Sequence, residues 1–203
     1  MKSEHVAKRR GRPREFDADM ALEQAMHVFW QNGYEGTSLP ALTAAMGISR
    51  PSLYAAFGSK EELFRKAVNR YLDSVAQVFR SALDQPTSRQ AVESLLHFAI
   101  AKPTPGTPRG CLLVQGALAC SSDSSCVRDE LTKLRNGNEK MIRRRFQRAV
   151  TEGDLPKDAD PIALAKYVAT IMQGLAVQTT AGADRKTLAA AVDIAVRAWP
   201  TRE

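Results

Sequence analysis

An all-α chain, with a small helix-turn-helix unit followed by a larger helical domain, is the architecture this sequence predicts. Three observations predict it. Apolar residues recur at helical spacing almost throughout, no stretch sustains a two-residue alternation, and Pro, Gly and capping residues cut the pattern into about nine segments of helical length.

Asp17 is a good N-cap for the first helix, in which Leu22, Ala25, Met26 and Phe29 share one face, and Asn32-Gly33 supply the stop. Thr37 and Ser38 cap a short second helix through Met46, and Pro40 is tolerated in its first turn. Gly47 breaks it, and Ser49 caps a third helix running to Phe57. Ser59, with Glu62 three residues on, forms a capping box for a fourth helix. Leu63, Ala67, Tyr71, Val75, Val78 and Ala82 carry its stripe to about Leu83, a length of roughly 35 Å at 1.5 Å per residue. Further helices are expected near 88–101, 109–121, 125–152, 159–180 and 185–198, separated by loops at Pro103–Pro108 and Gly153–Pro156 and a stop at Ala181-Gly182.

Composition narrows the function. The 203 residues are 44% hydrophobic and 25% charged, which suits a globular protein with a real core. No run approaches the ~18 apolar residues of a membrane span, and no apolar segment follows the basic N-terminus to make a secretory signal. Cys111, Cys120 and Cys126 match no zinc spacing and cannot all pair, which fits a reducing cytoplasm. The formal charge of +7 is uneven: residues 1–14 hold six Lys/Arg against one Glu, whereas Arg50 and Lys60 are the only cations in 15–60. A basic arm before an acidic segment with two isolated cations points to an anionic polymer.

The stretch TSLPALTAAMGISRPSLYAAFGSK, Thr37 to Lys60, reads as a helix-turn-helix. Leu42, Met46, Ile48, Leu53 and Phe57 are spaced to pack on the first helix, and Gly47 occupies the turn. The third helix then presents Arg50, Pro51, Ser52 and Tyr54 near its N-terminal end, where a recognition helix meets base edges. Arg50 has the planar fork that reads O6 and N7 of guanine. Ser52 can approach a base or phosphate, and Tyr54 can donate to a phosphate or press on a thymine methyl. The hydroxyls of Thr37 and Ser38 suit a phosphate, and Lys60 adds charge at a helix N-terminus. In the arm, Arg10 precedes and Arg12 lies within a Gly-Arg-Pro sequence of the kind that lies in a narrow minor groove; a solubilising tail is the alternative.

The segment from Phe16 to Tyr71 closely resembles the tetracycline-repressor (TetR) family of bacterial transcriptional regulators. The matching positions are Gly33, Thr37, Ser38, Gly47, Ile48, Leu53, Tyr54, Phe57, Lys60, Glu61 and Leu63. Where many members carry a polar residue early in helix two, this chain has Pro40, which shifts base reading onto Arg50. The resemblance implies a flexible arm (1–15), a DNA-binding domain (16–60, motif about 38–57) and a helical effector-binding and dimerisation domain (61–203). It further implies a homodimer on a palindromic double-stranded operator and release by a small-molecule effector. Arg109–Leu118 and Tyr167–Trp199 are similar to one subgroup of the family.

Within the second domain, Phe79, Phe98, Gln115, Met141, Tyr167 and Met172 are candidate effector contacts, apolar walls with an occasional polar group. Leu175, Leu188, Val192 and Ala195 belong to small and aliphatic surfaces that would pair across a two-fold axis; burial within one subunit is the alternative. Arg143, Arg144, Arg145 and Arg148 read as a solvated face. Cys111 beside Arg109 and Cys126 beside Arg128, each near a helix start, suggest a second class of output, a thiol sensor of oxidants or electrophiles. A DNA-binding protein indifferent to ligands is a third. No nucleophile elbow, phosphate loop, dinucleotide fingerprint or metal-ligand set is present, and His5, His27 and His97 lie far apart, so neither an enzyme nor a cofactor is expected.

Overall fold

Most expected helix starts carry a side chain able to take up orphan backbone N–H groups, and the computed structural model, which describes residues 16–118 and 125–201, places helices at or close to them. Among the described residues there are nine α-helices and no strand. They are α1 (Ala18–Asn32), α2 (Leu39–Met46), α3 (Arg50–Phe57), α4 (Lys60–Leu83), α5 (Ser88–Ala99), α6 (Leu112–Leu118), α7 (Ser125–Glu152), α8 (Pro161–Thr180) and α9 (Arg185–Arg197). Asp17, Ser38 and Ser49 accept from the first-turn amides of α1, α2 and α3, and Ser59 with Glu62 closes a capping box on α4. Gly47 holds φ 66° and ψ 25°, the left-handed C-cap that turns α2 into α3.

Three helices differ from expectation by two residues or more, α8 because it begins at Pro161 rather than 159, with Asp160 as its N-cap. α5 stops at Ala99 rather than 101, with Ile100 taking a bridge-region conformation. α6 begins at Leu112 rather than 109, because Gly110 sits at φ 81° and Thr180 Oγ1, Gln115 Nε2 and Ala176 O crowd the place where a Cβ would stand. The expected end of α6 and Cys120 lie outside the described residues.

The core forms two clusters. One joins α1, α2, α3 and the first half of α4 to α6 and the first turns of α7, with Phe29, Leu42, Leu53, Leu63, Leu112 and Leu131 fully buried. The second is built from the end of α4 with α5, α7, α8 and α9. No gap in the packing falls at 60/61: α4 runs unbroken from the first cluster into the second. Arg145 corrects the reading of its charge run. It is 4% exposed, and its guanidinium donates to the carbonyls of Leu83, Gln85 and Pro86, tying the end of α4 to α7. Burial pulls that guanidinium below the ordinary arginine value, Arg148 adds repulsion, and Asp154 opposes both.

Candidate nucleic-acid interface and ligand cavity

Helix α3 is eight residues long and buries Leu53 and Phe57, so its remaining faces stay in solvent. Arg50, Pro51 and Tyr54 are exposed and Ser52 is half-buried. The Arg50 guanidinium lies 5.6 Å from the Tyr54 ring centre and donates to the Tyr54 hydroxyl at 3.3 Å, so the two form one outward unit. Ser52 Oγ sits 2.8 Å from Ser49 Oγ. Ser38 is exposed while its oxygen caps α2 through the Ala41 amide.

One expected contact needs correction, and a second, Lys60, is placed against an aromatic ring. Thr37 is 1% exposed, and its hydroxyl donates to Gly33 O at 2.6 Å; it closes the turn between α1 and α2 rather than facing a phosphate. Lys60 is half-buried with Nζ 4.4 Å from the Tyr34 ring centre, and this desolvation lowers its ammonium below the ordinary lysine value, Glu35 opposing. Arg10 and Arg12 lie outside the described residues.

A cavity of about 470 Å³ opens between α1, α4, the end of α5, α6, α7, α8 and the 101–111 loop, within the size range of small-molecule sites. Phe79, Phe98 and Met172 line it, as do Val75, Val78 and Leu113. Gln115, Met141 and Tyr167 do not, which corrects half of the expected set. Gln115 instead donates to Arg109 O and Thr180 Oγ1, while Met141 and Tyr167 point to solvent from α7 and α8. The periodicity of α7 and α8 is compatible with several rotations, and only packing chooses among them.

Sequence reasoning missed the contribution of α1. Glu23, His27 and Trp30 line the cavity from the flank of the helix whose other side packs on α2 and α4. Trp30 stacks edge-on against Tyr71, with ring centres 4.7 Å apart. The Tyr71 hydroxyl donates to Cys111 Sγ at 3.4 Å, and both residues face the cavity. Burial, then Cys111, raises the Tyr71 phenol well above its ordinary value. A polar residue and a tryptophan three apart, beside an apolar helical face, were the available signal. Cys126 is exposed elsewhere and donates to Glu61 Oε1 at 3.5 Å.

The four expected dimer residues are also corrected. Leu175, Leu188, Val192 and Ala195 are buried within the chain's own second core cluster. The outward surfaces of α8 and α9 carry Ile162, Tyr167, Val177 and Ile194 instead. Among the described residues no His, Cys, Asp or Glu group is placed to hold a metal ion, and no helix is long and apolar enough to cross a membrane.

A capped helix-turn-helix with an exposed arginine on its second helix, joined through one long helix to a domain with a ligand-sized cavity, defines a helical DNA-binding regulator. Residues 21–67 match the family described as bacterial regulatory proteins, tetR family, and residues 89–195 match the tetracyclin repressor-like C-terminal domain. The chain belongs to the TetR family of transcriptional regulators, which act on DNA and are not enzymes. It is 36% identical over 200 residues to the HTH-type transcriptional repressor ComR of Escherichia coli, covering 96% of this chain and 94% of that protein. It is 31% identical over 198 residues to the repressor BdcR of the same organism, covering 94% and 93%. Among solved structures, a cysteine mutant of the TetR-family regulator CifR complexed with 26-bp double-strand operator DNA superposes with a TM-score of 0.88 at 47% identity, covering 94% of this chain and 100% of that one.

Proposed function

We propose that the chain is a homodimeric repressor that occupies a palindromic operator until a small molecule enters the cavity and releases it. The observation that carries this reading is the position of the cavity. Its walls include α1 and α4, the same helices that hold the helix-turn-helix. Residues 16–60 serve as the DNA-binding unit and 61–203 as the effector and dimerisation unit, joined by α4. The CifR complex with operator DNA and the repressor names of ComR and BdcR support the same direction.

Arg50 reads a guanine, Pro51 and Tyr54 fill the major-groove surface beside it, and Ser38, Ser52 and Lys60 meet phosphates. Arg10 and Arg12 reach the adjacent minor groove. The outward surfaces of α8 and α9, with Ile162, Val177 and Ile194, pair across the two-fold axis. Two recognition helices one DNA turn apart then read a palindrome that one alone cannot specify. An effector that binds better to a splayed spacing lowers operator affinity by its differential affinity for the two states, and by no more.

The test is selection from a random duplex pool at near-physiological salt, with wild type and Arg50→Ala in parallel, alongside the mass of the species in solution. An enriched palindrome bound by a dimer, and degraded in the variant, supports the reading. A folded monomer, or no enrichment, defeats it.

One observation favours a second route to release. Cys111 Sγ stands on the cavity wall with the Tyr71 hydroxyl donating to it. An activated alkene admitted to the cavity would add the Cys111 sulfur across its C=C bond, an S–C bond replacing the π bond and the thiol proton ending on the neighbouring carbon. Operator release by N-ethylmaleimide in wild type but not in Cys111→Ser supports this route; release in both removes it.

A further inference from the structure

Several polar groups on the cavity wall are already satisfied by the protein. The Glu23 carboxylate pairs with Arg70 at 2.9 Å, Glu139 pairs with Lys166 at 2.6 Å, and Arg135 donates to Leu113 O at 3.1 Å. The Tyr71 hydroxyl is spent on Cys111, and Ser74 donates to Tyr71 O. Two groups stand apart. Trp30 Nε1 and His27 Nε2 are shielded from solvent and meet no hydrogen-bonding group among the described residues. Both belong to α1, three residues apart and therefore on one face, and both line the cavity.

A buried indole N–H left without an acceptor carries an uncompensated desolvation penalty, so native structures seldom keep one without a use. The indole nitrogen can only donate, while the imidazole Nε2 donates in one tautomer. Met26, Val75, Val78 and Phe79 supply apolar wall, while Lys102, Arg109 and Gln173, which also line the cavity, are exposed to solvent and Asn138 is half-buried. We infer that the effector is an apolar small molecule carrying a hydrogen-bond-accepting oxygen of the carbonyl or ether class, and that Trp30 and His27 are the residues that select that oxygen. The inference rests on the effector reading above and deepens it. It also sets where the ligand acts: its polar atom is held by α1, a helix of the DNA-binding unit, and not by the distal domain alone.

The discrimination has a direct measurement. The chain has two tryptophans, so the full-length protein shows two indole N–H resonances, and Trp30→Phe assigns them. The probes are cyclohexyl methyl ketone and isopropenylcyclohexane, which share a shape and differ in having oxygen or CH₂ at one position. The ketone binds wild type about tenfold more tightly or better, the return on one satisfied buried donor. It moves the Trp30 indole proton downfield, and the hydrocarbon does not. In Trp30→Phe and in His27→Leu the preference falls toward equality while hydrocarbon binding persists.

Equal affinities for the two probes, no downfield movement of Trp30 at saturation, or no binding of either probe each overturn the inference. The wild-type measurements decide it even if a variant fails to fold. Failure of this inference is distinguishable from failure of the repressor reading. A molecule without an acceptor oxygen that releases operator from wild type and from Trp30→Phe alike removes the first and leaves the second.

Discussion

Arg145→Leu removes the only charged side chain of the α7 run that the chain buries, and the structure allows its cost to be worked out. The guanidinium makes three hydrogen bonds, to Leu83 O at 2.9 Å, Gln85 O at 3.0 Å and Pro86 O at 3.3 Å. Hydrogen bonds to a charged donor contribute roughly 1.5–3 kcal/mol each. The sum is an overestimate here, because Gln85 and Pro86 are partly open to water that can replace the lost donor. Leucine also returns some apolar burial beside Phe146. A net loss of about 2–4 kcal/mol follows, which at roughly 2–4 °C per kcal/mol for a chain of this size lowers the unfolding midpoint by about 4–16 °C. Thermal unfolding followed by circular dichroism, at fixed protein concentration, reads this directly. Arg144→Leu, changing an exposed neighbour, is the control and moves the midpoint little. A shift below about 2 °C for Arg145→Leu would show that α7 and the end of α4 hold together without the arginine.

Arg50→Ala costs about 1–3 kcal/mol of discrimination at one base pair per half-site, measured by competition between the selected operator and a single-base variant. Lys60→Ala weakens binding to all sequences alike and lowers the salt slope by about one per half-site, seen in titrations at several salt concentrations. The Glu62 carboxyl sits below its ordinary value because it accepts the Ser59 backbone N–H and hydroxyl. Its capping contribution is therefore fully present above the ordinary value of 4.5 and is lost as pH falls through the lower folded value, so Glu62→Gln flattens stability against pH in that acid window. Gly110→Ala forces a side chain into φ 81° and against Gln115 Nε2 and Ala176 O, lowering stability by about 1–3 kcal/mol in denaturant titrations.

The fold was legible because its punctuation is chemical and local. Asp17, Ser38, Ser49, Ser59 and Asp160 each mark a helix start that can be read without tertiary knowledge, and each caps as its residue type dictates. The helix-turn-helix surface was legible for a related reason. Once Leu53 and Phe57 face inward, the 3.6-residue period leaves Arg50 and Tyr54 outside. The faces of the distal helices were not legible. Residues such as Leu188 and Val192 are equally suited to a core and to a dimer seam, and what decides between them is how α9 seats on α5, a contact far away in sequence. Thr37 and Arg145 show the same limit from the polar side. A hydroxyl or a guanidinium reads as surface until the chain brings carbonyls to it.

The packing also bounds how a cavity event can reach the DNA surface. From the cavity wall, Trp30 meets Tyr71 at 4.7 Å on α4. Beside Trp30, Phe29 meets Phe64 at 5.0 Å, Tyr34 meets Phe64 at 5.2 Å, and Lys60 Nζ rests 4.4 Å above Tyr34. Glu23, also on the wall, pairs with Arg70 and so pins α1 to α4. Well-packed aromatic side chains do not deform by degrees; they hold one arrangement or exchange it for another. A ligand that separates α1 from α4 by a small amount therefore has to repack this cluster or break the Glu23–Arg70 pair. That cost is subtracted from its binding energy before any of it reaches α3. Weakening the pin with Glu23→Gln lowers the cost, so the variant should release operator at a lower effector concentration than wild type while keeping the same base preference. Release at an unchanged concentration would place the moving contact elsewhere, where α6 and the first turns of α7 form the other side of the same core.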